Sequence, residues 1–250
     1  MMATPGRPKP PRMADGFRQR GEQVTRLEAF IDAAFAFAVT LLVISVDHVP
    51  GSLDELLQAL RGVPAFAAAF LLIALFWYQH AQWSRRYGLD DTYSTLIGLL
   101  LVFLVLVYVY PLKILAGLLF AWITHGWLPW PFEVRSYADI RSVFMIYGVA
   151  YATLTFCIAE LYAHALRRRE ALALDRHEAM ETAASVVAWR FATGVGLLSA
   201  GSAALIIGNP GPWVGSIPGF VYFLMNLTWL VARWGSARMA RRLDREQAAS

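Results

Sequence analysis

The chain of 250 residues has few charged residues and a single cysteine. Charged residues make up 16% of it, against roughly a quarter in an ordinary soluble domain. The lone Cys157 excludes an intrachain disulfide and a zinc site built on cysteines. Apolar residues reach 58% and the mean hydropathy is +0.47. These values exclude a disordered chain, a coiled coil and a disulfide scaffold, and they predict a polytopic membrane protein.

The sequence also lacks the short motifs of several functional classes. It contains no Gly-x-x-x-x-Gly-Lys-[Ser/Thr] phosphate loop, no His-Glu-x-x-His zinc motif and no Thr-Val-Gly-Tyr-Gly selectivity filter. No Ser/His/Asp arrangement falls in a shared loop. We therefore expect no enzyme activity, no cofactor and no bound metal.

Six apolar segments are long enough to cross a bilayer as helices. They lie at 27–46, 62–84, 94–120, 142–164, 184–207 and 213–232. None shows the alternation of a strand, so we predict an all-α fold with six transmembrane helices. Pro111 and Lys113 predict that the third helix kinks or ends near Tyr110. The predicted organisation is a basic, Pro-rich disordered tail (1–24), a six-helix membrane domain (25–236) and a basic cytosolic tail (237–250).

Lysine and arginine are distributed unevenly over the loops. Of the 22, 17 lie in the N-terminal tail, in the loops after the second and fourth segments and in the C-terminal tail, whereas four lie in the other loops. Because cytosolic loops are enriched in these residues, both termini are predicted to be cytosolic. The same alternation accounts for the basic pI of about 9.4. We therefore expect no nucleic-acid partner.

Two ionisable residues lie at matching depth in the first two segments. Asp32 is six residues past Arg26, and His80 is five residues before Arg85 on the second, antiparallel segment. At 1.5 Å per residue each lies about 7.5 to 9 Å into its helix, with Trp77 one turn deeper. We hypothesise a hydrogen-bonded cluster of Asp32, His80 and Trp77. The alternative is that Asp32 snorkels and His80 contacts lipid headgroups.

The first segment also carries a one-sided stripe. Five residues recur on one helix face: Ala33, Phe37, Thr40, Leu41 and Ile44. Spacing alone leaves open whether this face contacts lipid, packs in a bundle or lines a pore. Elsewhere, Glu160 is expected to pair with Arg167 or Arg168, and Arg190 and the small residues of 192–196 are expected at helix contacts.

Three stretches of the sequence resemble the transmembrane protein 175 potassium-channel family. The first is Arg26-x-x-x-Phe30-Ile31-Asp32, where the family signature is Arg-x-x-x-Phe-Ser-Asp, followed by Ala-x-Phe-Ala and by Thr40-Leu41-Leu42. The second is Phe76-Trp77-x-x-His80, which is similar to the family motif on the second helix. The third is Tyr110-Pro111, where the third helix of the family commonly carries a proline. The resemblance extends to about residue 115.

This resemblance implies a homotetramer that conducts potassium ions across a lipid bilayer, in a bacterial plasma membrane, with its first helices lining the pathway. By position, the constriction would comprise Phe37, Leu41 and Ile44, with Thr40 as a polar layer. The network that braces the helix would comprise Arg26, Phe30, Asp32, Trp77 and His80. Two positions depart from the family: Ile31 replaces serine, and Phe37 replaces a small aliphatic residue, so we expect a narrower pathway or altered selectivity.

Asp47 follows the first segment and would place four carboxylates at the outer mouth of a tetramer. The neighbouring His48 is a candidate for proton sensitivity. Two other functions stay open from the sequence. One is a secondary or proton-linked transporter that uses Asp32, His80 and Glu160 as a relay, although these groups cluster near one side and not at the midplane. The other is a scaffold or sensor without transport.

Overall fold

The structure is a computed structural model that describes residues 10–21, 23–44, 50–129, 135–208 and 211–248. These residues form nine α-helices and one 3-10 helix. Their one extended pairing is an isolated bridge between Arg12 and Arg18. The predicted all-α class is confirmed.

The helices largely follow the apolar segments of the sequence. They are α1 (Arg26–Ile44), α2 (Leu53–Arg61), α3 (Val63–Tyr87), α4 (Thr92–Ile123), α5 (Tyr137–Arg167), α6 (Arg176–Leu205), α7 (Pro212–Gly215), α8 (Ile217–Phe220), a 3-10 helix (Val221–Leu227) and α9 (Thr228–Ala248). Asp91 and Asp175 cap α4 and α6, each within a capping box that satisfies free backbone N–H groups. Gly88 ends α3 with a φ of +56°, a conformation that glycine adopts without strain.

Four of the described helices, α3 to α6, are long and apolar enough to cross a membrane. The helix α4 has 32 residues and continues through Pro111, so of the two expected alternatives, a kink or an end near Tyr110, the end is wrong. A proline inside a membrane helix is tolerated because neighbouring helices and local adjustments satisfy the freed backbone groups. At 1.5 Å per residue α4 is about 48 Å long.

The sixth predicted segment, 213–232, is not a single helix. It is divided among α7, α8, the 3-10 helix and the first residues of α9. Pro218 and Gly219 lie just after the break between α7 and α8. Both residue types weaken an α-helix, and proline does so because it has no N–H to donate. Beyond this region α9 runs on to Ala248, through the segment that the sequence predicts as a separate tail.

The main apolar core lies among α1, α3, α4 and α5. Buried side chains at the centre of this core are Ile31, Phe35, Leu42, Phe76, Leu101, Val105, Ile158 and Leu161. The helices α5 and α6 approach closely where Gly148 meets Gly196. A Cβ added to Gly196 would lie 2.9 Å from the backbone nitrogen of Ala152. Such a short distance between the two backbones indicates that small residues set the spacing of these helices.

Residues 10–21 form an N-terminal strap across one end of the bundle. The side chain of Phe17 is buried beside Tyr87, and the guanidinium of Arg86 lies 4.2 Å above the Phe17 ring. Arg20 donates to the fully buried carboxylate of Glu178 at 2.7 Å. The partners of the strap lie on α3 and α6, far away in sequence, so the composition of the predicted tail contains no signal for this packing of residues 10–21.

The same end of the bundle gathers the other basic segments. Arg20 also donates to the carbonyl of Arg86 in the last turn of α3, and to the carbonyl of Leu172 between α5 and α6. The end of α9 joins them through Arg169 and Glu246, 2.8 Å apart. We call this the basic end, defined by the strap, the α3–α4 and α5–α6 connections and residues 238–248.

Candidate functional site on the first helix

The helix α1 has one buried and one uncovered face. On the buried face, Ile31, Phe35, Ala38 and Leu42 are each at most 3% exposed. On the opposite face Phe37 is 55% exposed. The stripe predicted from the sequence therefore lies largely on the face that the rest of the chain leaves uncovered.

The other stripe residues complete this description. Ala33 and Thr40 are exposed, and Leu41 is half-buried at the edge of the core. The hydroxyl of Thr40 donates to the carbonyl of Ala36 in its own helix at 3.0 Å. The side chain of Ile44, together with Asp47 and His48, lies outside the described residues.

A hydrogen bond links α1 to α3 near the basic end. The indole Nε1 of Trp77 donates to Oδ1 of Asp32 at 2.8 Å. Of the five predicted bracing residues, the structure brings these two together. Arg26 and Phe30 lie instead on the exposed side of α1.

His80 is buried but does not join this bond. Its ring is 3% exposed and lies 6.0 Å from the ring of Trp83, and its Nδ1 has no hydrogen-bond partner among the described residues. Among the described residues no hydrogen bond joins His80 to Asp32, so the predicted cluster is present only as the bond between Trp77 and Asp32. A Cβ added at Gly98 of α4 would lie 2.9 Å from Cδ1 of Ile31 and 3.5 Å from Nε2 of His80. Because Gly98 has no side chain, Ile31 of α1 and His80 of α3 can pack close to α4 at this point.

A cavity of about 300 Å³ opens beside His80 toward the basic end. Polar groups of the strap, of α1 and of α4 line it, among them Arg20, Thr25, Glu28 and Ser94. A polar cavity of this size has room for ordered water. It connects the buried ring of His80 to the surface at the base of α1.

Glu160 belongs to a separate group of charges on α5. Its carboxylate accepts from the hydroxyl of Tyr93 at 2.9 Å and from Arg190 at 3.2 Å, and Arg167 lies 3.6 Å away. Arg168, the alternative partner expected from the sequence, lies 3.6 Å from Asp91 instead. These contacts place Glu160 among α4, α5 and α6 and give it no bond to Asp32 or His80. The described residues also contain no group of three or more His, Cys, Asp or Glu side chains that could hold a metal ion.

Asp91 connects the start of α4 to the end of α5. Its Oδ1 accepts from the backbone N–H of Ser94 at 2.9 Å, and its Oδ2 lies 2.6 Å from Nε2 of His164. Burial by itself would raise the pKa of Asp91. The hydrogen bonds from Ser94 and His164 outweigh burial and lower this pKa to about 2.

Two features near α1 are absent from the sequence predictions. Gly98 is one, although an isolated glycine in an apolar helix is a recognised signal of close packing. The other is the pair of Arg20 and Glu178, which lie 158 residues apart in the chain. Neither residue of that pair carries a local sequence signal for the other.

Known proteins are similar to this chain over most of its length. Residues 26–111 match the family model of the endosomal/lysosomal potassium channel TMEM175. A potassium channel of Marivirga tractuosa is 34% identical over 238 residues, which span 91% of this chain and 93% of that protein. The chain belongs to the TMEM175 potassium-channel family. It is therefore a membrane-embedded potassium channel and not an enzyme, and the resemblance stated from its motifs is confirmed.

A solved structure of the TMEM175 family extends the likeness to the fold. This crystal structure shows a variant of the potassium channel MtTMEM175 in complex with a nanobody–MBP fusion protein. It matches with a TM-score of 0.72 and 28% identity, covering 96% of this chain and 100% of the other. The TMEM175 family model spans α1 to α3 and the first part of α4, the helices that hold Asp32, Trp77, His80 and Gly98.

Proposed function

We propose that four copies of this chain form a potassium channel in which the ions pass between the four α1 helices. The uncovered face of α1 carries this proposal, because Phe37 is 55% exposed while the opposite face is at most 3% exposed. A fourfold axis beside this face would cover it with its own copies, as closed symmetric assemblies do. Phe37, Leu41 and Ile44 then form the constriction, with the Thr40 hydroxyls between them.

The contacts on the buried side of α1 support this arrangement. A constriction made of side chains needs a helix that is held in place, because a shift of about 1 Å changes a narrow pore. The bond from Trp77 to Asp32 ties α1 to α3. The packing of Ile31 and His80 against Gly98 ties α1 to α3 and α4. Both contacts leave the Phe37 face free to meet its copies.

We place the basic end in the cytosol and count six crossings, with α1 first and the region of α7 to α9 last. The excess of lysine and arginine at the basic end supports this orientation. Asp47 then lies at the outer mouth, where four carboxylates would concentrate cations. The relative from a bacterium supports a bacterial plasma membrane as the location.

The constriction is tested by single-channel recording of purified protein in planar bilayers. Substitution Phe37→Ala should raise potassium conductance and lower the preference for potassium over sodium, because four aromatic rings are removed from the narrowest part. Phe103→Ala is the matched control. Phe103 is 61% exposed on α4. The control therefore removes the same aromatic ring from a similarly exposed position away from α1.

Equal conductance and selectivity in wild type and Phe37→Ala would contradict the constriction. A change of the same size in Phe103→Ala would show that the effect is not specific to α1. The oligomeric state is measured in parallel by native mass spectrometry, where a tetramer is expected. A monomer that conducts potassium would overturn the proposed pathway.

A further inference from the structure

A groove with a volume of about 710 Å³ lies between α9 and the bundle at the basic end. Its floor is apolar and includes Leu166, Val187 and Met239. Its rim contains five arginines: Arg190, Arg238, Arg241, Arg242 and Arg245. No carboxylate is among the described residues that line it. The volume is in the range of ligand pockets in proteins.

The arginines of α9 form one face of the helix. Trp234, Arg238, Arg241 and Arg245 are spaced by three and four residues, the spacing of one helical face. Two acidic residues of α9 point toward the bundle instead: Asp244 lies 2.6 Å from Arg176, and Glu246 lies 2.8 Å from Arg169. These pairs tie α9 to the bundle. Of the rim arginines, Arg190 pairs with Glu160 and Arg242 with Glu246, so the positive face along the groove is formed by Arg238, Arg241 and Arg245.

The groove crosses the expected surface of the membrane. Before it, α9 exposes the large apolar side chains of Trp229, Leu230 and Trp234, and from Arg238 onward its sequence is mostly charged. Tryptophan is enriched at the boundary between lipid and water. The floor beside Trp234 therefore lies at the depth of acyl chains, and the arginines lie at the depth of lipid phosphates.

We propose that this groove binds an anionic phospholipid of the cytosolic leaflet. Its phosphate pairs with Arg238, Arg241 and Arg245, and its acyl chains lie on the apolar floor. Basic pockets at the cytosolic side of membrane helices select such headgroups, and guanidinium groups pair well with phosphate oxygens. A second copy fits poorly because like charges would meet, and a soluble anion leaves the apolar floor unused. The proposal rests on the proposed cytosolic location of the basic end but not on the proposed pore.

The test measures lipid binding to purified protein in neutral detergent by native mass spectrometry. Wild type is titrated with dioleoyl phosphatidylglycerol and, separately, with dioleoyl phosphatidylcholine. Phosphatidylglycerol should bind in clear preference. The double variant Arg241→Gln/Arg245→Gln should bind it at least about tenfold more weakly, since each basic residue near an anionic headgroup contributes appreciably. The variant Arg241→Lys/Arg245→Lys should retain most of the binding.

The control variant is Arg85→Gln/Arg233→Gln. It removes two exposed arginines that do not line the groove, one of them on α9 itself, and its affinity should stay within about twofold of wild type. Equal weakening of the two glutamine variants would overturn the proposal, because only overall charge would matter. Equal binding of the two lipids, or displacement by glycerol 3-phosphate at equal concentration, would also overturn it. A changed oligomer mass in Arg241→Gln/Arg245→Gln would also overturn the proposal, because the groove would then be a contact between copies of the chain.

Discussion

Glu178 is a fully buried carboxylate that accepts four hydrogen bonds. Arg20 donates two of them, at 2.9 and 2.7 Å. The backbone N–H groups of Arg18 and Asp175 donate the others, at 2.7 and 3.0 Å. A buried charge that loses its partner is costly, because no water replaces the lost bonds. Glu178 is therefore the polar anchor of the strap, beside the apolar anchor that Phe17 provides.

Substitution Arg20→Met should destabilise the folded protein by about 3 to 5 kcal/mol, the usual cost of leaving a buried charge unpaired. Thermal unfolding in detergent, followed by size-exclusion chromatography, measures the loss. Arg18→Met is the control within the strap, since Arg18 reaches Glu178 through its backbone. The double variant Arg20→Met/Glu178→Gln should recover part of the stability. Equal stability of Arg20→Met and wild type would contradict a structural role for the pair.

The sequence shows why some residues of the site were predictable and others were not. Counting along two antiparallel helices predicts Asp32 and His80 at matching depth, with Trp77 one turn deeper, and in the structure Trp77 is the residue that bonds to Asp32. His80 was placed at the same depth, yet counting residues does not give the direction of a side chain. Its Nε2 lies 3.5 Å from the position that a Cβ on Gly98 would take, and this approach to α4 is not revealed by any spacing within one segment.

At the scale of elements, the contact between α5 and α6 depends on two glycines. A Cβ on Gly148 would lie 2.8 Å from the backbone nitrogen of Ala200, and one on Gly196 would lie 2.9 Å from that of Ala152. Backbone atoms cannot move aside as the end of a flexible side chain can. The two helices must separate if either glycine gains a methyl group.

We therefore expect Gly196→Ala to lower stability by about 1 to 3 kcal/mol, as overpacked interiors do. Gly194→Ala is the matched control, two residues away on the same helix, because an added Cβ there meets nothing within 4 Å. It should be neutral or stabilising by up to about 1 kcal/mol, since alanine favours a helix over glycine. Thermal unfolding of both variants measures the difference. Equal effects at the two positions would argue against close packing at Gly196.

The connection between α4 and α5 through Asp91 should give the protein a defined acid sensitivity. Hydrogen bonds lower the pKa of Asp91 from 3.8 to about 2. The carboxylate therefore contributes stability above about pH 4, and this contribution is lost as the pH falls through about 2.

Asp91→Asn keeps the shape of the cap but removes the titrating charge. The difference in unfolding temperature between wild type and Asp91→Asn should be largest above pH 4 and should shrink steadily as the pH falls toward 2. A difference that stays constant over this range would show that the carboxylate does not titrate with a lowered pKa.

Helix positions were more predictable than helix continuity. The apolar segments located α3 to α6, because their length and composition are local properties. Continuity depends on the surroundings, which is why α4 passes through Pro111 whereas the last segment breaks near Pro218. The amphipathic α2, with exposed leucines at 53, 56, 57 and 60, follows a helical period that could have been recognised in the sequence.

For the whole molecule, the outer mouth of the proposed tetramer offers an electrostatic test. Four copies of Asp47 would attract cations to the entrance. Asp47→Asn should lower inward potassium conductance several-fold at 10 mM salt and much less at 1 M, where the Debye length shrinks from about 30 to about 3 Å. Single-channel recording at both salt concentrations measures this. Asp54→Asn, on the exposed helix α2, is the control, and an equal effect there would assign the attraction to general surface charge.

The strap has a consequence for how the protein is made. Arg20 and its partner Glu178 are 158 residues apart, so at ribosomal rates of 5 to 20 residues per second the arginine is synthesised roughly 8 to 30 s before the carboxylate. During that interval the basic N-terminus is free to act as a topogenic signal that stays on the cytosolic side during insertion. Arg20 can pair with Glu178 only after α6 begins to emerge from the ribosome. Closure of the strap is thus a late step of biogenesis, and a ribosome-bound chain that ends before α6 should leave residues 10–21 open to protease.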